Sequence, residues 1–209
     1  MKVLVLCEYS GIVRDAFIRA GHDAVSVDIL PSESDLGPHH QMDALKFLEE
    51  NQDDFDLGIF HPPCTYLACS GIHWNKGSIE RQKKTELALE FVQALMNTTI
   101  KRWALENPKS IISSRIRKAD QQVQPYHFGE PIQKTTCFWL HNLPKLRPTE
   151  DLEKEVKAMH PRDRWPAGWL GPSVEDRGKQ RSKFFEGMAA AMATQWGALE
   201  HQTSLEDWL

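Results

Sequence analysis

Short apolar runs alternate with longer amphipathic segments along the first hundred residues. Three of the apolar runs are too short for a helix and end in polar or turn residues, which is typical of buried strands; they are 2–6, 24–29 and 57–60. Apolar residues at helical spacing predict helices at 12–21, 43–50 and 78–97, the last capped by Ser78. A further strand is predicted at 102–105. The alternation predicts an α/β fold, Rossmann-like, with a mostly parallel sheet and helices on both faces.

The second half of the chain is less regular. Residues 134–140 (KTTCFWL) have strand composition, and an amphipathic helix at 183–199 presents Met188, Met192 and Trp196 to the core. Residues 147–180 are rich in Pro, Trp, Arg and acidic residues, which predicts an irregular insertion. With 209 residues, the chain is expected to form a single domain.

Composition narrows the function only slightly. The formal net charge is −4 with both signs mixed, so no overall basic excess indicates nucleic-acid binding, and a local basic patch is still compatible with it. No apolar stretch is long enough for a membrane span or a signal sequence. The four cysteines contain no C-x-x-C pair, and we expect reduced thiols in a cytoplasmic protein of a bacterium or phage-infected cell.

Two features next to the first strands suit a nucleotide-like ligand. The loop CEYSGIVRDAF follows a strand and opens a helix, so its backbone N–H groups could face such a ligand. Asp28 ends a strand, where a carboxylate can accept hydrogen bonds from two ribose hydroxyls. A turn or capping role for Asp28 fits its spacing equally well.

Two further features suit nucleophilic chemistry at a neighbouring point of the sheet. Cys64 in HPPCTYLACSG follows two prolines that stiffen the loop after a strand, which would aim a thiol; a purely structural cysteine is the alternative. Glu106 in ENP ends another strand and could donate a proton in the same cleft, although a cap or ion-pair role is also open. The two together favour a catalytic pair.

These motifs, in this order, resemble the cytosine-5 DNA methyltransferase family, and within it the short versions common in phage and prophage sequences. LCEYSGIVRDAF resembles the opening cofactor loop, HPPC the loop of the nucleophile, ENP the motif of the proton donor, and RSKFFEGMAAAMATQW the closing motif. The resemblance implies the fold of an S-adenosylmethionine-dependent methyltransferase, with S-adenosyl-L-methionine as cofactor and DNA, duplex or single-stranded, as partner.

Residue roles follow from the same resemblance. It places the nucleophile on Cys64, the proton donor on Glu106 and an orienting catalytic role on Lys134. The implied cofactor-binding residues are Tyr9, Ser10, Gly11, Asp28, Asp43 and Pro62, and the implied substrate-binding residues are Asn107, Ser70 and Arg181.

The chain also departs from the family pattern. Val13 and Arg14 replace glycines of the opening loop, and Lys134 and Thr136 stand where arginines are usual. Only about 35 residues, 147–181, occupy the place of the family's target-recognition domain, which is too few for a second folded lobe. A free pyrimidine nucleotide or an RNA therefore remains an alternative substrate, as does a non-catalytic DNA-binding protein with the same fold.

Three other interpretations stay open. His61, Cys64, Cys69 and His73 could hold a metal ion, although their spacing is not a usual zinc pattern. Cys64 with one of nine histidines could form a hydrolase site, without a second motif in support. Basic and aromatic residues alternate in 162–181 and could track a nucleic-acid strand or form a solvated loop.

Overall fold

A computed structural model describes residues 1–165 and 177–200, and it contains one seven-stranded sheet. The strands are β1 Lys2–Leu6, β2 Asp23–Asp28, β3 His39–Gln41, β4 Leu57–Phe60, β5 Trp103–Pro108, β6 Gln121–Val123 and β7 Thr136–His141. Their order across the sheet is β3-β2-β1-β4-β5-β7-β6. Strands β1 to β5 pair in parallel where they are neighbours, and β7 runs antiparallel to both β5 and β6.

Helices cover both faces of this sheet. The α-helices are α1 Ile12–Arg19, α2 Ala44–Asn51, α3 Ile79–Met96, α4 Ile112–Arg115, α5 Glu153–Ala158, α6 Arg177–Ser182 and α7 Glu186–Gly197, with 3₁₀ turns at Gln52–Asp54, Ile72–Asn75, Pro125–His127 and Ala198–Glu200. Helices α1 and α7 bury Phe17, Met192 and Trp196 against one face. Helices α2 and α3 bury Phe47 and Val92 against the other. The predicted fold class, a Rossmann-like α/β fold with a mostly parallel sheet, is confirmed.

Helix α3 has a different buried face from the one its sequence indicates. Helical spacing in the sequence puts Leu87, Phe91, Ala94 and Leu95 on one face of the helix. Leu87 is nevertheless 62% exposed, and the buried residues are Thr85, Leu89, Val92 and Leu95. The helix has apolar residues on more than one side, so only its packing against α2 and the sheet selects the buried stripe.

Three other differences lie in weakly patterned segments. Residues 30–41, whose composition is typical of a loop, contain β3, whose ladder with β2 begins at Ser26 opposite His39. Strand β5 is longer than predicted because β7 pairs with it as far as Pro108. The insertion 147–180 is not wholly irregular: α5 buries Val156, and the Leu152 N–H donates to the Tyr126 carbonyl (2.8 Å). Residues 166–176 of that insertion lie outside the described residues.

Candidate active site

The predicted catalytic residues meet at the carboxyl edge of the three central strands. Leu6 of β1 pairs with Phe60 of β4, which in turn pairs with Leu105 of β5. The residues that follow these three aligned positions therefore lie next to one another at the carboxyl edge of the sheet. On β4 and β5 these residues are His61 and Glu106.

The loop that carries Cys64 is held tightly at both ends. At its start, Pro62 is buried and its carbonyl accepts a hydrogen bond from Asn107 Nδ2 (2.9 Å). The Cys64 carbonyl accepts from the N–H groups of Leu67 and Ala68, which closes a turn (3.0 and 2.9 Å). Further on, the Cys69 N–H donates to the carbonyl of Lys109, just beyond β5 (2.9 Å). This anchoring to the strand of Glu106 fixes where the thiol stands.

The Cys64 thiol is exposed, unlike that of Cys137. Surrounding protein displaces water from Cys64, and the Glu106 carboxylate repels its thiolate, so the pKa of the Cys64 thiol is raised; the charges of Lys134 and Arg181 act in the opposite direction. Burial raises the pKa of Cys137 to about 11. The four cysteines are free thiols, as expected. Cys64 is therefore accessible and protonated before a substrate arrives.

Two cations complete the surroundings of Cys64. Lys134 Nζ donates to the Arg181 carbonyl (3.0 Å) and lies 5.3 Å from the centre of the Phe185 ring. The Arg181 guanidinium lies 5.3 Å from the centre of the Trp165 ring. Two side chains from distant parts of the sequence thus form one basic and aromatic cluster within electrostatic range of the thiol.

The cofactor-side residues gather at the ends of β1 and β2. Cys7 follows β1 with a positive φ of 60°, and burial together with the carboxylates of Asp28 and Asp43 raises the pKa of its thiol. Asp28 Oδ1 accepts from the Leu30 N–H (2.9 Å), and the described residues give its other oxygen no hydrogen bond. Asp43 is exposed, and its Oδ1 caps α2 by accepting from the Lys46 N–H (2.9 Å). Asp28 thus retains an acceptor for a hydroxyl-bearing ligand.

The start of α1 differs from the expectation that its N–H groups face a ligand. The buried Glu8 carboxylate accepts from the N–H groups of Val13 (2.6 Å) and Arg14 (3.1 Å), and Ser10 Oγ donates to it (3.4 Å). Gly11 precedes the helix with φ 76°, a conformation that favours glycine. A protein carboxylate therefore takes the place at this helix terminus that was predicted for an anionic ligand group.

Val13 and Arg14, at positions where the resemblance leads us to expect glycines, serve the interior. Val13 belongs to the core, and Arg14 is fully buried in a salt bridge with Asp15 (2.7 Å). Arg14 also donates to Ser26 Oγ (3.1 Å) and to the Ser34 carbonyl (3.0 Å). Arg14 therefore joins α1 to β2 and to the loop that follows it.

The remaining predicted residues have mixed positions. Tyr9 is 8% exposed, and its hydroxyl donates to the Lys179 carbonyl (2.9 Å), so it contacts α6. Asn107 is buried with its Nδ2 engaged by the Cys64 loop and its Oδ1 unbonded within the described ranges. Ser70 is exposed in the turn after Cys69. The structure thus gives Tyr9 and Asn107 structural contacts whatever they bind.

A cavity of about 590 Å³ lies elsewhere, between α1 and α7. Its wall includes Ser10, Asp15 and Thr194, and within the described part of the chain it includes neither Cys64 nor Glu106. Of the predicted site residues, Ser10 from the cofactor side lines this cavity, whereas the catalytic residues Cys64 and Glu106 do not.

Sequence reasoning missed Glu8 and His61 as site residues. His61 Nδ1 lies 3.3 Å from Glu106 Oε2, with both side chains largely buried. His61 directly follows β4, and Glu8 is the second residue after β1; a polar residue within two positions of a buried strand end was the signal that could have found them. His61 was considered only as a metal ligand; in residues 1–165 and 177–200 no group of three or more His, Cys, Asp or Glu side chains is placed to hold a metal ion.

Comparison with known proteins adds a likeness of fold. No protein-family model matches the chain, and no curated protein matches it. Among solved structures, the chain is similar to the Dnmt2 methyltransferase of S. pombe, with 16% sequence identity and a TM-score of 0.47. The match covers 84% of this chain and 62% of that protein, so the chain spans less than two thirds of its length. Within the described residues, no helix is long and apolar enough to cross a membrane.

Proposed function

We propose that the protein transfers a methyl group from S-adenosylmethionine to carbon 5 of cytosine through a covalent adduct on Cys64. The observation that carries the proposal is the exposed thiol on an anchored loop, in electrostatic range of Glu106, Lys134 and Arg181. A rigid, accessible thiol beside a carboxyl group is the arrangement that addition to an activated ring requires.

The residues on the cofactor side fit a ligand that carries a ribose. Asp28 keeps an oxygen without a hydrogen bond at the end of β2, where such a ligand lies in α/β sheets. Cys7 and Asp43 stand beside it, as the raised pKa of Cys7 indicates. When bound, S-adenosylmethionine supplies an electrophilic methyl group on its sulfonium sulfur. The N-terminus of α1 contributes no free N–H from Val13 or Arg14, because both donate to Glu8, so other residues would hold the amino-acid end of the ligand.

The protein residues act in sequence. The Cys64 thiol first gives its proton to solvent. The thiolate sulfur then forms a bond to carbon 6 as protonated Glu106 gives its proton to ring nitrogen 3, which makes carbon 5 a nucleophile. After carbon 5 has accepted the methyl group, it loses its hydrogen as a proton to solvent. The bond between sulfur and carbon 6 then breaks, the thiolate leaves, and nitrogen 3 returns its proton to Glu106. Because burial and the Glu106 carboxylate raise the pKa of the Cys64 thiol, thiolate is the minor form, and the positive charges of Lys134 and Arg181 favour its formation.

DNA is the proposed carrier of the cytosine. The cluster of Lys134, Arg181 and Trp165 offers positive charge and an aromatic ring next to the thiol, which suits a phosphate and a stacked base. Cytosine must leave a duplex stack to reach Cys64, so single-stranded DNA would be accepted at least as readily. Replacement of Arg181 by Ala should weaken binding of a DNA strand and reduce the salt dependence of binding by about one counterion. An unchanged slope would remove Arg181 from the contact surface.

The proposal is tested by transfer of labelled methyl groups to duplex DNA, single-stranded DNA, RNA and deoxycytidylate. Cys64→Ser should abolish transfer, and Cys69→Ser, which alters another exposed thiol of the same loop, should retain it. A single-stranded DNA with 5-fluorocytosine should form an adduct on the Cys64 peptide, because fluorine at carbon 5 cannot leave as a proton would. Transfer by the Cys64→Ser protein would contradict the covalent mechanism, and transfer to RNA or deoxycytidylate alone would contradict the DNA assignment.

A further inference from the structure

His61 is fixed at the centre of the sheet edge by its backbone and its ring. Its N–H donates to the Leu6 carbonyl (3.0 Å), and Pro62 follows, which disfavours a helical conformation at His61. The imidazole is 4.9 Å from the Phe184 ring, centre to centre, and its side chain is 12% exposed. A ring held in this way cannot swing into solvent without losing its packing.

One carboxyl group contacts this imidazole, and a second lies within electrostatic range of it. Nδ1 lies 3.3 Å from Glu106 Oε2 on β5. On the β1 side stands Glu8: burial raises the pKa of Glu8, and the charge of His61 lowers it, so the two groups lie within electrostatic range. Nε2 is buried and has no hydrogen-bond partner in the part of the chain that the structure describes.

A second hydrogen bond keeps the pair in register. Asn107 Nδ2 donates to the Pro62 carbonyl (2.9 Å), so the residue after His61 is tied to the residue after Glu106. The distance between the imidazole and the carboxyl group is therefore fixed both by their own hydrogen bond and by the one between Asn107 and Pro62. Such double fixation is what a proton shared between two side chains needs.

We propose that His61 is a positioning residue that orients the Glu106 carboxyl group and shares one proton with it. This inference rests on the proposed function. The proton lies on Nδ1 or on Oε2, passes from Glu106 to ring nitrogen 3 when Cys64 adds, and returns to the pair when the thiolate leaves. In the described part of the chain, the titratable and charged groups around the pair include Glu8 on the β1 side, the Cys137 thiol on β7 and, near Cys64, Lys134 and Arg181.

The first test needs no turnover. Alkylation of Cys64 by iodoacetamide, followed by mass spectrometry from pH 5.5 to 9.5, reports how strongly the Glu106 carboxylate repels the thiolate. His61→Phe keeps a ring against Phe184 but removes the shared proton. Alkylation near pH 7 should therefore slow about threefold, which corresponds to a rise of about half a unit in the pKa of the Cys64 thiol. Glu106→Gln should speed the alkylation of Cys64. The variant that combines His61→Phe with Glu106→Gln should be alkylated at the rate of Glu106→Gln alone, because His61 acts through Glu106.

Two controls separate this role from general loss of structure. His127 is also partly buried, and its Nδ1 accepts from the Gln124 N–H (3.3 Å). Its charge is not among those that act on Cys64, so His127→Asn should leave the pH profile of Cys64 alkylation unchanged. His61→Asn keeps an N–H donor near Glu106 without a titrating group, so its profile should lose the pH-dependent part of the coupling. The inference would be overturned if His61→Phe left the pH profile of Cys64 alkylation unaltered. It would also be overturned if His61→Phe shifted that profile equally in the wild-type and the Glu106→Gln background.

The second test uses methyl transfer. His61→Phe and His61→Asn should lower kcat roughly tenfold or more with little change in KM for DNA, and the pH-rate profile should lose one ionisation. A change in KM alone, with the wild-type profile, would refute the positioning role. If the wild-type protein transfers no methyl group, the proposed function fails, while the alkylation test still decides whether His61 and Glu106 are coupled.

Discussion

Replacing Arg14 by Met should destabilise the protein by about 3–5 kcal/mol, the cost of leaving one partner of a buried ion pair alone. Arg14 is fully buried, and its guanidinium bonds to Asp15 Oδ1 through Nε (2.8 Å), to Ser26 Oγ (3.1 Å) and to the Ser34 carbonyl (3.0 Å). Methionine keeps most of the aliphatic volume but supplies no donor. The buried Asp15 carboxylate would then lack its cation, and hydrogen bonds to a charged group are worth about 1.5–3 kcal/mol each.

The assay is urea unfolding at pH 7 followed by circular dichroism. Arg19→Met alters an exposed arginine of the same helix and should change the free energy of unfolding by less than about 0.5 kcal/mol. Adding Asp15→Asn to Arg14→Met should cost less than the sum of the two single changes, since both charges are then removed. A loss below about 1 kcal/mol for Arg14→Met, or additivity in the double variant, would refute the buried-pair reasoning.

The loss of stability caused by Arg14→Met should also depend on pH. Burial raises the pKa of Glu8, and the charge of Arg14 is among the influences that lower it. Without Arg14 the folded-state pKa of Glu8 rises further, so the folded protein favours protonated Glu8 more strongly. A raised folded pKa means that stability is retained at low pH and lost as pH rises through it. The Arg14→Met penalty should therefore be smaller at pH 4 than at pH 7.

Three further predictions concern other parts of the molecule. Glu8→Gln should remove a decline in stability that the wild-type protein shows as pH rises above about 4.3, because the buried acid has a raised pKa; equal pH dependence of unfolding in both proteins would contradict this. In the native protein at pH 8, iodoacetamide should modify Cys64 at least about 100-fold faster than the buried Cys137, as measured by peptide mass spectrometry, and similar rates would argue against the exposed thiol. Gly187→Ala should lower the free energy of unfolding by roughly 2 kcal/mol or more, since its Cβ would lie 1.9 Å from the Phe128 carbonyl oxygen; unchanged thermal unfolding would mean that the α7 start can shift freely.

Local pattern was enough to predict the framework of this protein. Apolar runs such as 57–60 are buried whatever surrounds them, because a β-strand in a parallel sheet is covered on both faces. Ser78 and Asp43 stand at the starts of α3 and α2, where their side chains cap the helix as their residue type suggests. The closing helix shows the same locality, with Met188, Met192 and Trp196 all buried as their spacing predicts.

Long-range pairing decided what the pattern could not. Strand β5 runs on to Pro108 because β7, nearly thirty residues later, pairs with it, and this places Glu106 within a strand instead of at its end. The short strands β3 and β6 carry too few apolar residues for a period to be visible.

The sequence by itself therefore determined the layers of the fold and the thiol loop, while tertiary structure decided the surroundings of the reactive groups. The exposure of Cys64 and the electrostatic influence of Lys134 and Arg181 on its thiol depend on residues up to about 117 positions away. The partnership of His61 with Glu106 arises because β4 and β5 are neighbours. Hydrophobic periodicity records which side chains avoid water; it does not record which polar groups meet, because that depends on strand order and register.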